Sequence, residues 1–240
     1  MTSVLDSTDE PNVDNRRAVL RHRRPSRWMH WINFPLITIM IWSGLRIYWA
    51  EDIYALGILD WEWFSFFPDW FNEKLGLERR LARGLAFHLS FGWLFAINGL
   101  AYGLYCAKSG EWRHLVPDRD GIRNSVAVVL HDLGIRQDAP NQNGRYNSAQ
   151  QLSYTIIVAL GGLALLTGFA IFKPTQLSLL VTLLGGYETA RLIHFWVCLA
   201  FVGFFVIHVV QVIRAGRSNF TSMVTGYEVL DPEDDENEDA

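Results

Sequence analysis

The sequence predicts an all-α membrane protein, a bundle of four transmembrane helices. Half of its 240 residues are hydrophobic, and they gather in four nearly uncharged runs of about 20 residues, each long enough to cross about 30 Å of hydrocarbon as a helix. Lys and Arg concentrate in the segments on one side of these runs, the bias that marks cytoplasmic loops. Four of the seven histidines fall within or at the ends of the runs, where an ionisable side chain is costly and calls for a partner.

Taken in order, residues 1–26 form a basic segment with Arg16, Arg17, Arg21, Arg23 and Arg24, expected to be solvated and cytoplasmic. The bundle is expected over 27–228. Its first span, about 31–50 (WINFPLITIMIWSGLRIYWA), is too long for the core of a signal peptide and lacks a clear small-residue cleavage site after it, so it is expected to stay as an anchor. An outer loop dense in aromatics follows, DWEWFSFFPDWF; its Trp61, Trp63 and Trp70 suit an interfacial belt or a docking surface. The second span, 85–105, returns to a cytoplasmic loop, 107–150, that carries Lys108, Arg113, Arg119, Arg123, Arg136 and Arg145. The third span is 152–172. LSLLVTLLGG (177–186) is apolar but too short to cross, and suits an interfacial helix. The fourth span, 192–213, leads back to Arg214 and Arg217, and residues 229–240 form an acidic cytoplasmic tail. Both termini are therefore expected inside. Lys74, Arg79, Arg80 and Arg83, in the first outer loop, run against the charge bias. Cys106 and Cys198 fall near opposite faces by this topology and are expected to be buried thiols rather than a disulfide.

The membrane histidines are His30, His88, His194 and His208. Span one runs outward and spans two and four run inward, so the depths match in two pairs: His30 with His208 near the cytoplasm, and His88 with His194 near the outer face. On span four the two histidines are 14 residues apart, about 21 Å of rise and within about 40° of one face. Two imidazoles facing across a helix bundle are what a b-type haem needs as axial ligands. CxxCH, the c-type attachment motif, is absent, and no carboxylates or thiolates gather at one depth as a zinc or di-metal site would need. The plainer alternative is four histidines that hydrogen-bond between helices. Gly44, Gly92, Gly99, Gly103, Gly161, Gly162, Gly168 and Gly203 could admit a flat macrocycle or simply pack helices. Arg27 and Arg191 each stand three residues before a histidine, placed either to pair with a haem propionate or to snorkel.

These pieces, RWMHW (27–31), FHLSFGWLFAINGLAYGLY (87–105), YNSAQ (146–150), ARLIHF (190–195), the spacing to His208 and MVTG (223–226), occur in collinear order over about 25–228. In this the chain resembles the four-helix di-haem cytochrome b subunits that serve bacterial nickel-iron hydrogenases, formate dehydrogenases and thiosulfate-reductase-type molybdoenzymes. The resemblance implies two b haems stacked across the bacterial inner membrane, exchanging electrons between the quinone pool and a partner oxidoreductase. The loops before spans two and four are most similar to cytochromes paired with a periplasmic molybdopterin oxidoreductase of the sulfite-oxidase-like type. It also implies a quinone pocket bordered by Tyr146, Asn147 and Gln150; the alternative for Asn147 or Ser148 is a helix cap.

The expected role is thus an electron-transfer subunit with no catalytic residues of its own and no nucleic-acid partner. Two other classes compete. A self-contained transmembrane reductase of an external acceptor would need a nucleotide-binding glycine motif or redox domain, which the sequence lacks. A haem-free transporter or anchor would use its histidines to relay protons and would be colourless.

Overall fold

The structure is a computed structural model that describes residues 17–50, 54–58, 61–132 and 148–230. Among the described residues it is mainly helical, with four short strands. In chain order the elements are β1 (Arg17–Leu20), α1 (Arg24–Tyr48), β2 (Ala55–Ile58), β3 (Trp61–Ser65), α2 (Asp69–Lys74), α3 (Leu81–Ser109), α4 (Trp112–Leu115), α5 (Arg119–Asp132), α6 (Ser148–Phe172), α7 (Ser178–Leu183), α8 (Tyr187–Arg214), α9 (Gly216–Thr225) and β4 (Tyr227–Leu230). The described residues fall into two compact units, one within 28–210 and one made of the two ends, 17–27 with 211–230.

In the larger unit, α3, α6 and α8 are long and apolar enough to cross a membrane. They cover the expected spans 85–105, 152–172 and 192–213 and extend a few residues beyond them. α1 matches α6 in length but is the least apolar of the four long helices, interrupted by Asn33, Ser43 and Arg46. On α3, Leu94, Ile97, Leu100 and Leu104 are exposed, spaced by three or four residues so that they form one stripe. Val202, Val206, Val209 and Ile213 do the same on α8. Such apolar stripes suit contact with lipid tails rather than water. α3 ends at Gly110, which takes the left-handed conformation (φ 73°) that a side chain would resist.

The connections hold more structure than the sequence suggested. β2 and β3 form an antiparallel hairpin with Ala55 opposite Ser65. Behind it Tyr48 stacks on Phe195, with ring centroids 5.2 Å apart, and the Tyr48 hydroxyl accepts the Tyr54 backbone N–H at 2.6 Å. Phe66 and Phe67 pack edge-on against Phe195. Part of the aromatic loop expected as a belt therefore packs inward on the C-terminal end of α1 and the N-terminal part of α8, while Trp70 stays exposed. The side chains of Trp61 and Trp63 lie outside the described residues. In the 107–150 loop, Asp118 caps α5 by accepting the Gly121 N–H at 2.6 Å, and Thr155 of α6 donates to the Leu115 carbonyl at 3.0 Å. α7 falls within the short interfacial segment expected at 177–186.

In the smaller unit, β1 pairs antiparallel with β4, Arg17 opposite Leu230 and Leu20 opposite Tyr227. β1, expected within the solvated basic segment, and β4, which straddles the expected end of the bundle at 228, satisfy backbone groups on one another. The Arg27 guanidinium donates to the Val224 carbonyl, and the N–H groups of Arg21 and His22 donate to the Gly226 carbonyl at 2.9 and 3.2 Å. Gly226 has φ 98°, and a Cβ there would stand 2.7 Å from the Arg27 guanidinium. That crowding gives the terminal MVTG motif a local reason for its glycine.

Candidate functional site

The structure brings the four membrane histidines together in two pairs. His30 of α1 faces His208 of α8 with ring centroids 6.0 Å apart, and His88 of α3 faces His194 of α8 at 6.1 Å. One helix, α8, supplies a member of each pair.

The His88/His194 pair, the one expected nearer the outer face, is built from all four long helices. Ser43 of α1 is fully buried; its hydroxyl donates to the Ile39 carbonyl at 2.7 Å. With its proton committed to the backbone, the Ser43 oxygen can only accept from His88 Nδ1, which lies 3.0 Å away. The Met40 carbonyl, a second pure acceptor, sits 3.1 Å from the same nitrogen. Two acceptors require the proton on Nδ1, so Nε2 is left with a free lone pair. α6 repeats the device: buried Thr167 donates to the Leu163 carbonyl at 2.7 Å, and its oxygen is 2.8 Å from His194 Nδ1. A glycine follows each hydroxyl. A Cβ on Gly44 would meet His88 Cε1 at 3.4 Å, and one on Gly168 would meet His194 Cε1 at 3.4 Å, so both rings lie against bare backbone.

The inner pair is held differently. His30 Nδ1 is buried with no hydrogen-bond partner, so no protein acceptor sets its tautomer. Its ring packs edge-on to Trp31, centroids 5.3 Å apart, while His208 stacks on Phe204 at 5.9 Å, nearly parallel. α3 contributes Asn98, whose amide donates to Asn33 Oδ1 at 2.8 Å. That bond ties α3 to α1 one turn from His30.

The ring separation in each pair matches what a bis-imidazole haem would require. A metal–imidazole bond of about 2 Å on each side, with about 1.1 Å from nitrogen to ring centre, separates the ring centres by a little over 6 Å. Among the described residues no three His, Cys, Asp or Glu side chains gather to hold a metal unaided. Each pair thus offers two axial donors, and a macrocycle would have to supply the rest. The fixed Nδ1–H donors of the outer pair are the hydrogen bonds that orient metal-bound histidine.

The other expected site residues are scattered. Arg191 pairs with Glu188 at 3.1 Å. Arg27 is engaged by Val224, though its Nε is buried without a partner. Gln150 lies in the first turn of α6, partly buried; Tyr146 and Asn147 lie outside the described residues. Both cysteines are free thiols. Reasoning from sequence missed Ser43, Thr167 and Asn98. The available signal was the recurrence of hydroxyl-then-glycine, Ser43-Gly44 and Thr167-Gly168, in the two long helices that hold no outer histidine.

Comparison with known proteins agrees in kind. Residues 21–226 match the family model for prokaryotic cytochrome b561. The chain is 31% identical over 202 residues to a protein of Azospira oryzae provisionally named a protein-methionine-sulfoxide reductase subunit, YedZ1, covering 84% of this chain and 93% of that one. It is 27% identical over 164 residues to the cytochrome b556 subunit of a Haemophilus influenzae formate dehydrogenase, covering 67% of this chain and 57% of that one.

Proposed function

We propose, from the premise that the chain belongs to the prokaryotic cytochrome b561 family, that it is a di-haem electron-transfer subunit linking the quinone pool to a partner oxidoreductase across the bacterial inner membrane. The observation that carries this reading is the pair of facing histidine pairs, 6.0 and 6.1 Å between ring centres, hung at two depths from α8. A b haem in each pair supplies reversible one-electron chemistry. The residues do the rest: His88 and His194 present Nε2 because Ser43 and Thr167 hold the proton on Nδ1, and the apolar helices keep water away. His30 and His208 give a second site toward the cytoplasmic ends of α1 and α8. The two relatives, one a formate dehydrogenase subunit and one a reductase subunit by name, support a partner oxidoreductase; a periplasmic molybdopterin enzyme is the form this chain suits best.

Four spans, rather than the three helices apolar enough by composition, are supported by the pairing of β1 with β4. Two strands can pair only on one side of a membrane, so an even number of crossings separates Leu20 from Tyr227. Among the described helices α1, at 25 residues, is the further one with the length to cross. Basic residues flanking α1 and α8 favour the cytoplasm for that side. Quinone is assigned to this face, beside Gln150 with Tyr146 and Asn147.

The test is a reduced-minus-oxidised spectrum with haem quantification on the purified protein. About two b haems per chain are expected; a haem-free chain overturns the reading. Substituting His88 or His194 by Ala should remove one haem and leave the other, identifying the outer one. Asn147→Ala should slow haem reduction by quinol at full haem content, and unchanged kinetics would leave Asn147 without a quinone role.

A further inference from the structure

Arg46 stands out from the rest of the bundle. It is only 6% exposed, yet its Nε and one terminal nitrogen are buried with no hydrogen-bond partner. Leaving charged donors unsatisfied in a low-dielectric surrounding is among the costliest states for a side chain. Its guanidinium carbon lies 3.6 Å from the centre of the Trp42 ring, one helical turn back along α1, which brings the charge toward the depth of Ser43 and His88. Packing on the face of an indole uses the flat side of the guanidinium and leaves its in-plane N–H groups to find an acceptor.

The surroundings are cationic. Arg80 and Arg83, at the start of α3, are close enough to repel Arg46 electrostatically. Gly84 makes the approach possible: a Cβ there would stand 2.9 Å from Arg46 Cβ and 3.2 Å from the Ser43 carbonyl. Gly84 lies one turn from His88 on α3, so the helix contact that seats Arg46 also seats the outer histidine. Arg191, the arginine nearest in sequence to His194, is already paired with Glu188.

We propose that Arg46, reinforced by Arg80 and Arg83, receives a carboxylate of the outer haem as a bidentate ion pair. The proposal rests on the di-haem reading above. A haem propionate supplies the missing acceptor: an anion with two oxygens, carried on an apolar ring that the His88/His194 pair would hold at this depth. The same three cations explain why basic residues collect on the outer side, against the usual charge bias.

The test pairs a change in the protein with a change in the ligand. Arg46→Gln and Arg46→Lys are purified with the full chain, then stripped and reconstituted with haem or with haem dimethyl ester, which lacks the carboxylate charges. With haem, Arg46→Gln is expected to lower the midpoint potential of the outer haem, because removing a nearby cation favours the ferric state, and to weaken its retention about tenfold. Arg46→Lys should recover part of both. With the dimethyl ester, which offers no carboxylate to pair, wild type and Arg46→Gln should retain the outer haem equally. Unchanged potential and retention in Arg46→Gln would overturn the proposal, as would an equal loss of retention with the dimethyl ester, which would assign the anion to another source such as a lipid phosphate. If Arg46→Gln does not assemble, equal binding of haem and its dimethyl ester by the wild type would overturn it alone. A wild type with no haem sinks the function itself, an outcome distinct from all of these.

Discussion

Ser43 and Thr167 are the side chains on which the outer site turns, because each gives its own proton to a carbonyl four residues back and so can only accept from histidine. Thr167→Val keeps the shape and removes the acceptor. It is expected to weaken retention of the outer haem about tenfold, leaving the inner haem in place, and to raise the outer midpoint potential because the ligand becomes a poorer electron donor. A redox titration of the purified variant checks this, and identical curves for wild type and Thr167→Val would sink it. The histidines were legible in the sequence because ionisable groups at membrane depth are rare and their 14-residue spacing on one span fixes the depths. The hydroxyls were not, since Ser and Thr in apolar helices routinely satisfy themselves on their own backbone and gain meaning only when the facing histidine is known. Arg46 was hidden for a related reason: it fell inside a span read as nearly uncharged, and only its unsatisfied nitrogens single it out.

Among the elements, the closest approach that matters is α1 against α3 at Gly84. Replacing that glycine with alanine drives a methyl group to 2.9 Å from Arg46 Cβ, and overpacking of this kind costs about 1–3 kcal/mol. Gly84→Ala is therefore expected to lower the thermal midpoint of the detergent-solubilised protein and to loosen the outer haem before the inner one; a midpoint equal to wild type would show that the helices part freely. The three most apolar helices could be read directly, as length and absence of charge suffice. α1 was also located, though Asn33, Ser43 and Arg46 dilute its apolar signal because they face partners on α3. The β2–β3 hairpin escaped notice: in DWEWFSFF aromatic residues stand at both alternations, so the period of two that marks a half-buried strand is absent. α4 and α5 were lost in a polar loop whose charges dominated its reading.

For the molecule as a whole, reporter fusions at the two ends give the cleanest topological measurement. A reporter active only in the cytoplasm is expected to work at both termini, and one active only outside should work in the aromatic loop between α1 and α3; opposite behaviour at the two termini would contradict the pairing of β1 with β4. That ladder joins the beginning of the described chain to its end, which sequence could not reveal because four-residue strands carry almost no periodic signal. It also imposes an order on biogenesis. Arg17–Leu20 leaves the ribosome before α1, whereas Tyr227–Leu230 appears only after α8 and α9. Through most of synthesis the first strand has an open edge, and its closure requires every intervening crossing to have gone the right way. The two short strands thus close a ring: a chain that stops before Tyr227, or that makes an odd number of crossings between Leu20 and Tyr227, leaves the first strand without its partner.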